Sequence, residues 1–125
     1  MTQSIRPKLV VDEARSALQW YAEAVGATIG QVHEHGDSVV HADLVVLGTH
    51  LSLKDGDGVD RSPTSLGVPG QVLEVVVDDP DPLVARMLER GAEEIFPLAD
   101  QDYGARAGRV RDPFGVQWLV TTPVS

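Results

Sequence analysis

The chain has 125 residues, and its 10 Lys and Arg stand against 19 Asp and Glu for a net charge of −9. That balance argues against nucleic-acid binding, which uses a basic face. There is no cysteine, so disulfides, zinc–thiolate sites and thiol nucleophiles are excluded. No stretch reaches the roughly 20 apolar residues of a membrane-spanning helix. The first residues also lack a charged-then-apolar export pattern, so a cytoplasmic protein without a membrane partner is expected.

Residues 6–11, Arg-Pro-Lys-Leu-Val-Val, predict a first strand. Asp12 is a good N-cap for the helix that follows, and Ala14, Leu18, Tyr21, Ala22 and Val25 give it one apolar stripe. Trp20 lies beside that stripe and is expected to be packed. Gly26 ends the helix as its C′ residue. Residues 27–33 and 38–46 read as strands joined by a tight hairpin at His35-Gly36-Asp37-Ser38, and residues 49–54 alternate as a fourth strand. Glycine, proline and small polar residues then mark a linker over 55–70. A strand over 71–78 follows. Asp81 can cap a second helix with Pro82 at its first position. Leu83, Val84, Met87 and Leu88 form that helix's buried stripe, and Gly91 closes it. Short strands are predicted near 93–97, 106–111 and 116–122, with a turn at Asp112-Pro113-Phe114-Gly115 joining the last two.

The pattern repeats. Val10-Val11-Asp12 leads into a helix closed by Gly26-Ala27, and Val76-Val77-Asp78 leads into one closed by Gly91-Ala92. The two copies define one domain of two modules, about 5–54 and about 71–122, on either side of the linker.

A strand, a helix and three strands, used twice, resembles the vicinal-oxygen-chelate superfamily, which includes glyoxalase I, extradiol dioxygenases and bleomycin-resistance proteins. The segment from Tyr103 through Arg106-Ala107-Gly108-Arg109-Val110-Arg111-Asp112-Pro113-Phe114-Gly115 to Trp118 is similar to the PhnB-like glyoxalase/bleomycin-resistance branch. So are Leu9-Val10-Val11-Asp12, Trp20-Tyr21, Gly26-Ala27 and His41-Ala42-Asp43-Leu44. The resemblance implies an α+β fold in which two βαβββ modules form an open eight-stranded barrel-like sheet, and it implies a homodimer.

Enzymes of that superfamily hold a divalent metal through His, Glu or Gln on the first and fourth strands of each module. The resemblance puts those positions on or near Arg6, Ser52, Val72 and Leu119. None is a normal ligand: arginine is cationic, Val and Leu have no lone pair, and serine is a weak donor. A slip of one residue brings in Gln71 or His50 but no full set. No metal, cofactor or catalytic residue is therefore expected. His33 and His35 share a strand face near the hairpin tip, and a metal site with His41 is the lesser reading. For His41 itself, a structural hydrogen bond and a ligand contact both stay open. Asp55, Asp57 and Asp60 do not make a calcium loop, because Val59 and Leu66 stand where that loop needs ligands and Gly58 falls at position 4 where the loop's glycine belongs at 6. Glu74, alone among valines, can be a general base if buried, or pair with Arg106 or Lys8.

With the metal positions taken as inward-facing, alternation adds neighbours to a shared cavity. The expected ligand contacts are Lys8, His50, Ser52, Glu74, Gln117 and Leu119, with Tyr103 and Arg106 over the opening. Trp118 and Val120 fall on the opposite, helix-packed face. The acidic balance favours a cationic ligand at long range and Tyr103 an aromatic one, although Arg6, Lys8 and Arg106 oppose a cation. The expected function is metal-free binding of a small organic molecule, sequestering an antibiotic or other secondary metabolite as drug-resistance proteins do. The alternatives are a metal-dependent glyoxalase-like lyase, isomerase or dioxygenase, and a protein-interaction module.

Overall fold

Which face of each strand meets a helix is set by where its apolar residues alternate. The computed structural model describes residues 3–124. They fall into two compact units that part after Gly67.

In the first unit the elements run β1 (Lys8–Val11), α1 (Ala14–Ala24), β2 (Thr28–His35), β3 (Ser38–Val46), β4 (Thr49–Asp55) and α2 (Pro63–Leu66). The strands form one open sheet in the order β1-β4-β3-β2, with β1 parallel to β4 and the other pairs antiparallel. Ala42, Leu44 and Val46 of β3 and Leu51 and Leu53 of β4 are buried with Ala14, Ala17, Leu18, Tyr21 and Ala24 of α1. Ala22, assigned to the stripe from sequence, is only half-buried. Trp20 is packed, edge-on to Tyr21 with ring centroids 5.5 Å apart. The tight turn at Gly36-Asp37 is present, with His35 paired to Ser38 and Gly36 at φ 61°, a conformation glycine adopts without strain.

Asp12 does not cap α1. The N-cap position is Glu13, which makes no side-chain cap. The Ala14 N–H instead donates to Asp55 Oδ1 at 2.8 Å, and Asp55 Oδ2 accepts the Val39 N–H at 2.8 Å. One carboxylate at the end of β4 thus ties down the starts of α1 and β3. Asp12 turns to the expected linker and accepts the hydroxyls of Ser62 and Ser65. Those residues begin a short helix: Ser62 Oγ accepts the Ser65 N–H at 3.0 Å, and Pro63 occupies the first helical position. Just before it, the Lys54 ammonium donates to both Asp57 and Asp60 at 2.7 Å, so lysine fills the centre of the acidic loop.

The second unit runs β5 (Val72–Val76), α3 (Pro80–Glu89), β6 (Glu93–Asp100), β7 (Arg106–Arg111) and β8 (Gln117–Thr121). Its open sheet has the equivalent order β5-β8-β7-β6, with β5 parallel to β8. The fold is therefore α+β, built from two βαβββ modules. The helix α3 starts one Asp-Pro pair earlier than expected, with Asp79 as N-cap and Pro80 at its first position. Asp81 is left in the first turn, where a carboxylate suits the helix dipole. Leu83, Val84 and Met87 are buried, as are Trp118, Val120 and Val110, while Leu88 is half-buried. Asp112 is 3% exposed and organises the last turn. Its carboxylate accepts the Phe114 and Val116 N–H groups and, at 2.8 Å, the Trp118 indole N–H.

β6 runs to Asp100, past the expected end at 97, because it irregularly pairs with β7 on either side of Phe96. It passes so close over Gly108 that a Cβ there would lie 2.8 Å from the Leu98 backbone.

Candidate functional site

Cross-strand partners share a face, so the register identifies the residues of the sheet face that α1 leaves uncovered. Lys8 pairs with Ser52, Ser52 with Asp43, His50 with Val45, and His33 with His41. The face therefore brings together Lys8, Ser52 and His50 of the expected contacts, and adds His41 and Asp43. Lys8 Nζ donates to His41 Nδ1 at 3.1 Å, and His41 Nε2 donates to Asp43 Oδ1 at 2.9 Å. Lysine can only donate, so this arrangement fixes the Nε2–H tautomer. Arg6 reaches the same Asp43 oxygen at 3.4 Å. His41 is thus hydrogen-bonded through both ring nitrogens. Its only acceptor nitrogen is occupied by Lys8, so the ring is not poised as a general base. Ser52 is buried at the centre of this face. His33 lies with its ring centroid 6.0 Å from that of His41, not at the hairpin tip, which His35 occupies.

In the second unit, Val72 pairs with Gln117, Glu74 with Leu119, and Leu119 with Arg109. Gln117 and Thr121 are buried, Leu119 is half-buried and Glu74 is exposed. Exposure removes the condition under which Glu74 was expected to serve as a buried base, and neither Arg106 nor Lys8 pairs with it. A cavity of about 340 Å³ opens on this face, lined by Phe96, Gln101, Tyr103, Ala107, Arg109 and Leu119 among others. Tyr103 and Leu119 are therefore at a concave surface. Gln117 and Glu74 lie on the same face but outside the cavity lining.

Arg106 is a correction. It points to the helix side, where its guanidinium grips Asp81 in a two-bond pair of 3.0 and 2.8 Å and also reaches Asp100. The pair lowers the Asp81 pKa and raises that of Arg106. The arginine that sequence reasoning missed is Arg109. On β7, residues 107, 109 and 111 share the face opposite Arg106, and the turn at 112–115 sets Arg109 against Leu119. Carrying the alternation of β8 back across that turn would have found it.

A profile of the Glyoxalase/Bleomycin resistance protein/Dioxygenase superfamily matches residues 4–120. The chain belongs to this superfamily. Mb0911c of Mycobacterium bovis, a protein of uncharacterised function, is 36% identical over 97% of this chain and 84% of its own length. Among solved structures, PA1353 of Pseudomonas aeruginosa is 25% identical, with a TM-score of 0.79 over 97% of this chain and 98% of that one. The fosfomycin resistance protein FosX of Listeria monocytogenes, determined with Mn(II) and sulfate, shares the fold at 10% identity, with a TM-score of 0.72 over 98% of this chain and 90% of that one.

The divalent metal used by glyoxalase-superfamily enzymes does not fit the residues present here. Of the four positions that the resemblance points to, Arg6 is bound to Asp43 and Ser52 offers a buried hydroxyl. Val72 and Leu119 carry no donor atom. Among the described residues no three His, Asp or Glu side chains converge as a metal-binding group. No step of a metal-dependent reaction can be derived from this donor set.

Proposed function

We propose that this superfamily member is a small-molecule binding protein, not a metal enzyme, and that it sequesters an antibiotic or other secondary metabolite. The observation that carries the reading is the substitution of the expected metal donors by Arg6, Ser52, Val72 and Leu119 on a scaffold that retains ligand-sized concavity. A cavity of about 340 Å³ is within the range of small-molecule sites, which are mostly apolar with a few placed polar groups. The resistance role named for FosX supports a drug-resistance function on this fold. The protein is proposed to act in the cytoplasm as a homodimer, since each open sheet has edge strands that a second copy can cover.

The test is a calorimetric screen of antibiotics and aromatic metabolites, with and without EDTA, on protein purified without chelators and assayed for bound metal. Binding that survives EDTA, with metal far below one equivalent, is the expected result. Near one equivalent of Mn, Fe, Ni or Zn, with turnover abolished by EDTA, would establish the glyoxalase-like lyase, isomerase or dioxygenase instead. Light scattering should give about twice the 13.4 kDa chain mass.

A further inference from the structure

Three arginines lie on β7, and two are neutralised: Arg106 by Asp81 and Asp100, and Arg111 by Glu93 at 3.3 Å. The third, Arg109, has no carboxylate partner among the described residues. Its Nε is buried and makes no hydrogen bond. A buried guanidinium N–H without an acceptor is costly, and such groups in folded proteins call for an explanation. The side chain is also held in place, with its guanidinium carbon 5.6 Å from the Phe96 ring centroid, within cation–π range. It lines the cavity on the helix-free face of the second unit. The chain has 19 acidic residues, yet none lines that cavity.

We infer that this cavity takes a planar aromatic carboxylate, with the carboxylate on Arg109 and the ring against Phe96 and Tyr103. This deepens the binding-protein reading and rests on it. The two terminal nitrogens of a guanidinium present paired N–H groups, matched to the two oxygens of a carboxylate. Phe96 and Tyr103 are 59% and 60% exposed, large aromatic surfaces beside an opening with room for one or two rings. The assignment reverses the preference for cations drawn from net charge. Distant surface charges are screened over about 8–10 Å in physiological salt, whereas Arg109 is in the lining itself.

The experiment compares naphthoate, naphthamide, naphthylmethylamine and naphthyl phosphate by calorimetry on wild type, Arg109→Gln and Arg109→Lys, with melting curves to confirm folding. Naphthoate should bind wild type at least about 10-fold more tightly than the neutral amide, the factor worth 1.4 kcal/mol. Arg109→Gln should erase that preference, and Arg109→Lys, which keeps charge but not the paired N–H groups, should fall between. The inference is overturned if the amide or the amine binds as tightly as naphthoate, if the phosphate is preferred, if both variants bind naphthoate like wild type, or if naphthoate does not bind. EDTA-resistant binding of a neutral or cationic screening hit would then leave the binding-protein reading standing. A stoichiometric metal with EDTA-sensitive turnover would remove that reading as well.

Discussion

Replacing Asp112 by alanine should cost more than any surface substitution in this protein. The carboxylate accepts the N–H groups of Phe114 and Val116 on one oxygen, at 2.9 and 3.1 Å, and the Trp118 indole on the other, at 2.8 Å. Phe114 is half-buried and can turn its N–H to water. Val116 and Trp118 are 7% and 2% exposed, so their donors are orphaned when the acceptor goes. Each buried unsatisfied donor costs about 1–3 kcal/mol, and a water entering the vacated space can recover part of that. The expected loss is therefore about 2–4 kcal/mol. Asp112→Asn keeps one acceptor oxygen but sets an amide N–H₂ against a remaining donor, and should lose roughly half as much. Urea unfolding followed by tryptophan fluorescence reads the change as a shift in midpoint at constant slope. A loss below about 0.5 kcal/mol for the alanine variant, the range of ordinary surface changes, would refute the claim that this carboxylate holds the turn.

Gly108→Ala should destabilise by about 1–3 kcal/mol as an overpacked substitution, because its Cβ would meet Leu98 backbone atoms at 2.8 Å and the Phe96 carbonyl at 3.1 Å; an unchanged melting temperature would show that β6 moves aside freely. Stability should hold from neutral pH down to about pH 5 and fall below about pH 4, the ordinary carboxylate range. The serine hydroxyls lower the Asp12 pKa, and Arg15, Lys54 and Arg106 lower those of Glu34, Asp57 and Asp81. A depressed folded-state pKa contributes stability that is present above the unfolded value and lost as pH falls through the folded one. Asp81→Asn should accordingly flatten the acid limb of a stability–pH curve, and a steeper limb would contradict the assignment. Tyr103→Ala should weaken a bound aromatic ligand by about 1–2 kcal/mol, measured by titration, and unchanged affinity would place the ligand elsewhere.

Local chemistry made much of this readable in advance. Gly36 and Gly115 stand where turns demand positive φ, and alternation put Trp118 and Val120 on the helix side of β8. What stayed hidden depended on partners distant in sequence. Asp12 has the right residue type and place for a cap, but Asp55, 41 residues from Ala14, does that work. Two consecutive Asp-Pro pairs both fit a helix start, and the choice of the first released Asp81 to hold Arg106. That ion pair turned Arg106 away from the expected opening. The arginine at the cavity lay three residues further along β7, on the other face, visible only once strand pairing was carried across the 112–115 turn.

Every strand ladder among the described residues is internal to one half of the chain: β1 through β4 before Gly67, β5 through β8 after it. Each half therefore completes its own backbone pairing from its own stretch of sequence. Part of the segment from 56 to 71 is wound into α2 and held to Asp12 through Ser62 and Ser65. Two serine hydroxyls therefore fasten a stretch that composition alone reads as free linker to the residue that leads into α1.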